Sequence, residues 1–278
     1  MTLFLHIGMS KAGSTAIQKA IVENNAGLQK MGIIYPKAGR IREAHFKIVT
    51  ELRAGVALLH LAEALNEAKI SKTIVISAEG FWLITEEEVL HLREELGPLD
   101  TQIVLYLRRP ADYLCSSYRQ GIKGRKGKTH GMDEYLSEIG DRMNYPRLLD
   151  RWGRHFPLRV RAYEAVKSNI EADFMSIIGA SPIHAEQQRR TINKTPSDGS
   201  LRLMLMANKL LPKRTSKIAR HVLLSNEHRL RWMKPMNNAP LHDFAAQTVS
   251  TWKMDIMRKY LSKEDLLLLT TPSTSGRS

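Results

Sequence analysis

The chain carries short, unbroken apolar runs separated by longer stretches in which apolar residues return every three or four positions. Thr2–Ile7 (TLFLHI), Thr73–Ser77 (TIVIS) and Gln102–Leu107 (QIVLYL) are such runs. Continuous apolar strands of this length belong to parallel sheets covered on both faces. Ile33–Tyr35 and Arg159–Tyr163 are two further, shorter strand candidates. Between them the helical period predicts helices over 14–30, over 44–68 with a break at Gly55, from Thr85 to Gly97, and over 111–122, 145–156 and 171–178. Strands alternating with helices predict an α/β fold, a parallel β-sheet flanked by helices. The C-terminal portion reads as mostly helical. The expected organisation is one domain over 1–269, with an α/β core at 1–185, a helical extension at 186–269 and a disordered tail at 270–278.

The first strand runs directly into Gly8–Gly13 (GMSKAG), and Ser14–Thr15 open the next helix. A strand, a glycine-bounded loop and a helix start form a cradle for phosphate. The glycines let successive N–H groups turn inward, and the helix N-terminus adds partial positive charge. Lys11, Ser14 and Thr15 can all donate to anionic oxygens. The order departs from G-x-x-x-x-G-K-[ST], because Lys11 precedes Gly13 and Ser14 follows it. A magnesium-dependent NTPase therefore lacks its lysine in the usual place.

Lys11-Ala12-Gly13-Ser14-Thr15 resembles the 5'-phosphosulfate loop, K-[ST]-G-[ST]-[ST], of sulfotransferases that use 3'-phosphoadenosine 5'-phosphosulfate (PAPS), with Ala12 as a small departure. A second stretch, Leu107–Tyr118 (LRRPADYLCSSY), is similar to that family's 3'-phosphate site, R-x-P-x-x-x-x-x-S with an aromatic shortly after. Arg108, Pro110, Ser116 and Tyr118 match it, with Arg109 and Ser117 as competing assignments one residue along. An arginine at a strand end can grip phosphate with its planar fork, and a serine hydroxyl adds a further bond. Asn144–Glu164, Asp173–Gly179 and Asn193–Ser197 also look like stretches of the bacterial soluble members. The likeness spans roughly residues 3 to 205 and implies a P-loop NTPase-like fold.

The resemblance implies sulfuryl transfer from PAPS, leaving 3'-phosphoadenosine 5'-phosphate (PAP), to a hydroxyl or amine of a carbohydrate or lipid-linked sugar. No metal is expected, since the leaving group is a stabilised phosphate. Lys11 is the candidate cation at the bridging oxygen. Glu79, just past the Thr73–Ser77 strand, is the first candidate for the base that takes the acceptor proton, and His45 is the second. The rival readings are a nucleotide kinase or NTPase on the same fold and a non-enzymatic polyanion binder.

Charge sharpens the last of these. The net charge is +14, and between Gln187 and Pro235 there are 12 Lys/Arg against 2 acids. By charge such a segment suits a nucleotide, an acidic glycan, nucleic acid or an anionic membrane face; with the resemblance beside it, an anionic or membrane-associated glycan is the expected partner and nucleic acid is not. Gly121–Gly131 (GIKGRKGKTHG) predicts a mobile basic flap, with Lys123, Arg125, Lys126 and Lys128 over cofactor or acceptor. Cys115 is the sole cysteine, and no apolar run approaches the ~18 residues of a membrane span. A soluble, cytoplasmic protein is expected. The oligomeric state is left open.

Overall fold

A computed structural model describes residues 1–124, 127–180, 196–226, 230 and 236–272. The α/β expectation holds. Five parallel strands form one sheet: β1 (Thr2–His6), β2 (Ile33–Ile34), β3 (Thr73–Ser77), β4 (Asp100–Leu107) and β5 (Leu158–Ala162), in the order β2-β3-β1-β4-β5. The register sets His6 level with Ser77 on one side and with Val104 on the other. The apolar runs fill the middle of the sheet, where Leu3, Ile74, Val75 and Ile103 are fully buried.

The helices follow in chain order. They are α1 (Ser14–Glu23), α2 (Asn25–Lys30), α3 (Phe46–Ala54), α4 (Leu59–Glu67), α5 (Glu86–Leu96), α6 (Pro110–Lys123), α7 (Met132–Ile139) and α8 (Tyr145–Gly153). After β5 come α9 (Tyr163–Val166), α10 (Ile170–Ile177), α11 (Asp198–Leu210), α12 (Lys213–Ser225), α13 (Ala239–Ser250), α14 (Met254–Tyr260) and α15 (Lys263–Thr270). The long helix read over 14–30 is broken at Asn24, whose amide bonds back to the Ala20 carbonyl at 2.8 Å. The one read over 44–68 is broken at Gly55, which takes φ 63 as the C-cap of α3. Thr85 caps α5 with a full capping box to Glu88.

Two compact units partition the chain. The first comprises Met1–Arg109, Asn144–Ala185 and Trp252–Thr271; the second comprises Pro110–Met143, Glu186–Thr251 and Pro272–Ser278. The first unit holds the whole sheet. Its last two helices come from the C-terminal portion of the chain: Asp265 on α15 accepts the Ala162 N–H at 3.0 Å, and α14 packs on α8. Thr270, expected in the tail, closes α15. The second unit is helical, with α13 and α11 both on α6, and α11 on α12.

The expected mobile flap is corrected in part. Gly121 and Lys123 belong to α6, and α7 begins at Met132. The Lys128 N–H donates to the Gly121 carbonyl at 2.9 Å, and the Lys128 carbonyl accepts from Asn208 at 2.9 Å. Lys128 itself pairs with Glu138 at 2.6 Å. These bonds hold the described part of the loop against its own unit. Arg125 and Lys126 lie outside the described residues, as do 181–195 of the polar connector.

Candidate functional site

In the strand order β2-β3-β1-β4-β5 the chain leaves β1 toward one edge of the sheet and leaves β4 toward the other. The gap between two neighbouring strands with divergent exits is where open α/β sheets bind ligands, at the carboxyl ends. The loop after β1 and Arg108 after β4 both stand there.

The loop is tightly wound. Gly8 has φ 24, Lys11 φ 66 and Gly13 φ 84. A left-handed conformation at a lysine is uncommon, and here it is flanked by two glycines that share the turn. The Ala12 N–H donates to the Met9 carbonyl at 3.3 Å, closing the bend. Gly13 is the N-cap of α1, and no side chain caps that helix. Its leading N–H groups are thus left to other acceptors, in contrast to the closed start of α5.

Ser14 is corrected in one respect. Its side chain is buried and donates to the Met9 carbonyl at 3.3 Å, so the hydroxyl braces the loop from within. At the first helical position a side chain leans back over the preceding turn, which is where Met9 lies. Thr15 is exposed, Lys11 is half-buried and Ala12 is buried against the core.

Glu79 lies beside this loop. It opens a short 3-10 helix, Glu79–Leu83, that the sequence pattern did not announce. A Cβ on Gly8 would approach the Glu79 Cα to 3.4 Å, which measures how closely the two backbones pass. Burial pushes the Glu79 carboxyl above the ordinary carboxylate range; the charge of Lys11 and a hydrogen bond from Ser10 act the other way and only partly offset it. Lys11 and Glu79 therefore share one electrostatic environment.

Arg108 reaches toward the same loop. Its Nη1 donates to the Lys11 carbonyl at 2.6 Å, and the guanidinium lies over the Tyr163 ring at 5.4 Å. Its Nε is buried without a partner among the described residues. Arg109 turns elsewhere: its Nε donates to the Leu268 carbonyl at 2.8 Å and its N–H to Glu164 at 3.0 Å. The geometry thus separates two neighbours that the sequence left in competition. Ser116 and Ser117 lie on α6 in the second unit, where Ser117 bonds to the Tyr135 phenol. The assignment of Ser116 rests on the sequence pattern alone.

His45 is not placed for proton transfer. It is fully buried, its Nε2 donates to the Pro36 carbonyl at 3.1 Å and its Nδ1 accepts the Ser77 N–H at 3.2 Å. Both ring nitrogens are occupied, and burial holds its pKa down at about 4. The Tyr35 ring meets it edge-on at 4.7 Å.

Sequence reasoning missed the support behind the loop. Ser77 Oγ joins His6 Nδ1 at 2.8 Å and accepts from Gln18 Nε2 at 3.0 Å, all three residues being buried. This node ties the ends of β1 and β3 to α1. A polar residue closing an apolar strand beside a histidine was the available signal. Among the described residues of the second unit, His130, Glu134 and Glu138 bring ligand atoms within 4.8 Å of one another. Lys128 already pairs with Glu138, and His130 Nδ1 lies 2.6 Å from the same carboxylate, so the cluster's ligand atoms are engaged with one another.

The chain matches no family model. It is similar to an uncharacterised protein of Archaeoglobus fulgidus, 26% identical over 144 residues. The match covers 50% of this chain and 39% of that protein. No helix among the described residues is long and apolar enough to cross a membrane.

Proposed function

We propose that the protein is a PAPS-dependent sulfotransferase, acting in the cytoplasm on a hydroxyl or amine of a carbohydrate or lipid-linked sugar. The observation that carries the reading is the meeting, at the carboxyl ends of the central strands, of an uncapped helix start, a lysine in the loop before it, a partly desolvated carboxylate and an arginine with donors to spare. The loop N–H groups and the start of α1 hold the 5'-phosphate. Arg108 holds the 3'-phosphate, with the ring of Tyr163 beneath its guanidinium. Glu79 takes the proton as the acceptor oxygen or nitrogen attacks sulfur, the S–O bond to the phosphate breaks, and Lys11 meets the charge that grows on the bridging oxygen. The raised pKa of Glu79 makes it a stronger proton acceptor than an ordinary carboxylate.

Calorimetry with PAP, AMP and ATP tests the cofactor class. The expected result is tight binding of PAP and weak binding of the other two. A preference for ATP with magnesium would replace this reading with a nucleotide kinase.

A further inference from the structure

The α11–α12 hairpin of the second unit turns a hydrogen-bonded polar face inward and a mixed basic and aliphatic face outward. Inside, the buried Asn208 accepts from Ser216 Oγ at 2.7 Å and from Arg220, and donates to the Ile122 carbonyl at 3.0 Å. Ser216 and Arg220 are buried too, so one side of α12 is pinned by hydrogen bonds. The other side shows Ile218, 65% exposed, and Val222, 52% exposed, one helical turn apart. On α11, Met206 and Leu210 are 55% and 76% exposed. Lys209, Lys213, Arg214 and Lys217 are exposed beside them, and α12 contains no acidic residue.

A basic surface that only needed to stay in water would carry polar residues at 218 and 222. Cations interleaved with exposed aliphatic side chains suit a different solvent. Aliphatic groups gain by entering the acyl boundary of a bilayer, and lysine and arginine gain from anionic headgroups. We propose that α12 is a membrane-surface helix that lies on anionic lipid, with Ile218 and Val222 entering the interface and Lys213, Arg214 and Lys217 on the headgroups. Charge decides against the other occupants. A second copy of this chain packed face to face would bring like charges together. A nucleic acid or acidic glycan would engage the cations and leave the aliphatic side chains in water. The inference does not depend on the sulfotransferase reading.

Flotation of the full chain with vesicles tests it. The protein should float with phosphatidylcholine vesicles containing phosphatidylglycerol and not with phosphatidylcholine alone. The triple variant Lys213→Gln, Arg214→Gln, Lys217→Gln should lose on the order of a hundredfold in partitioning at low salt. The pair Ile218→Ser, Val222→Ser should lose roughly tenfold or more while keeping its retention on heparin. These aliphatic residues are exposed, so the pair should melt like the wild type. The proposal is overturned if the wild type ignores anionic vesicles or if the Ile218/Val222 pair floats unchanged, which would mark a plain polyanion site. It is also overturned if light scattering shows a dimer that the pair abolishes.

Discussion

Arg108 donates from Nη1 to the carbonyl oxygen of Lys11 at 2.6 Å. One side chain thereby ties the end of β4 to the loop after β1, and the residue it holds is the lysine with φ 66. The left-handed turn presents that carbonyl to the arginine. Arg108 thus has two duties in the proposed site, keeping the loop wound and binding phosphate.

Replacing Arg108 by Ala is expected to weaken PAP binding by ~1.5–3 kcal/mol, the size of a charged hydrogen-bonded contact. AMP, lacking the 3'-phosphate, should lose clearly less, with only the loop tie missing. Arg108→Lys should recover part of the loss, because a point charge replaces a fork. Calorimetry with both ligands checks this, and equal losses would remove Arg108 from the 3'-phosphate.

Glu79→Gln should lower turnover by ~10²–10⁴-fold with PAP affinity retained. In the wild type the rate should climb with pH through a pKa above the usual carboxylate range. Lys11→Met removes the charge that opposes the rise in that pKa, so the climb should move to still higher pH as turnover falls. The same carboxylate leaves a mark on stability. A group whose pKa is raised on folding favours the fold at low pH, and the advantage is lost as pH rises through the folded pKa. Glu79→Gln should therefore melt above the wild type at pH 8, and the gap should close toward pH 4. A variant that melts below the wild type at both pH values would contradict the burial cost assigned to this charge.

His6 and His45 should make the protein acid-sensitive. Both are buried, and their pKa values fall from 6.5 to about 3 and about 4. Each stays neutral in the fold and is protonated once unfolded below pH 6.5. Stability is present above that pH and is lost as pH falls toward the folded values. Near pH 5 unfolding should take up about two protons from this pair, a slope of roughly 2.7 kcal/mol per pH unit. Urea melts at half-unit steps between pH 4.5 and 7 measure it. A flat profile would mean that the two rings are charged or solvated.

Gly13→Ala meets two separate obstacles, a backbone at φ 84 and the Ile170 Cδ1 at 2.5 Å from the new Cβ. The expected cost is about 1–3 kcal/mol, the backbone share being roughly 1–2 kcal/mol. Adding Ile170→Val removes the nearest atom and should recover most of the steric share, leaving the Tyr163 Cε2 contact at 3.2 Å and the backbone share. Thermal melts of the two single variants and the double variant separate the terms. Purely additive losses would mean that the methyl already moves aside freely.

Where a segment's burial is one-sided or total, its pattern was readable. Thr73–Ser77 was legible to the residue, and Thr85 announced the start of α5 through the three glutamates that follow it. The short helix α7 was missed because Tyr135 and Ile139 are its only buried side chains and a glycine- and lysine-rich stretch precedes it. The glycine-bounded loop after β1 and the place of Glu79 beside it were legible as spacing around strand ends. The choice between Arg108 and Arg109 was not, since it depends on which way each side chain leaves the strand. Nor was the occupation of both His45 nitrogens, because Pro36 and Ser77 come to it from separate segments.

The two margins of the sheet are unequal but alike in effect. β2 is two residues long, and β5 carries Arg159 and Arg161, which pair with Gln102 and Asp173, while the Ala162 N–H is taken by Asp265. Neither rim offers a long row of vacant amides, so a foreign strand finds no template to extend. Self-association by edge-to-edge strand pairing is disfavoured from the outset, and a companion that approaches either margin of the sheet meets mainly side chains.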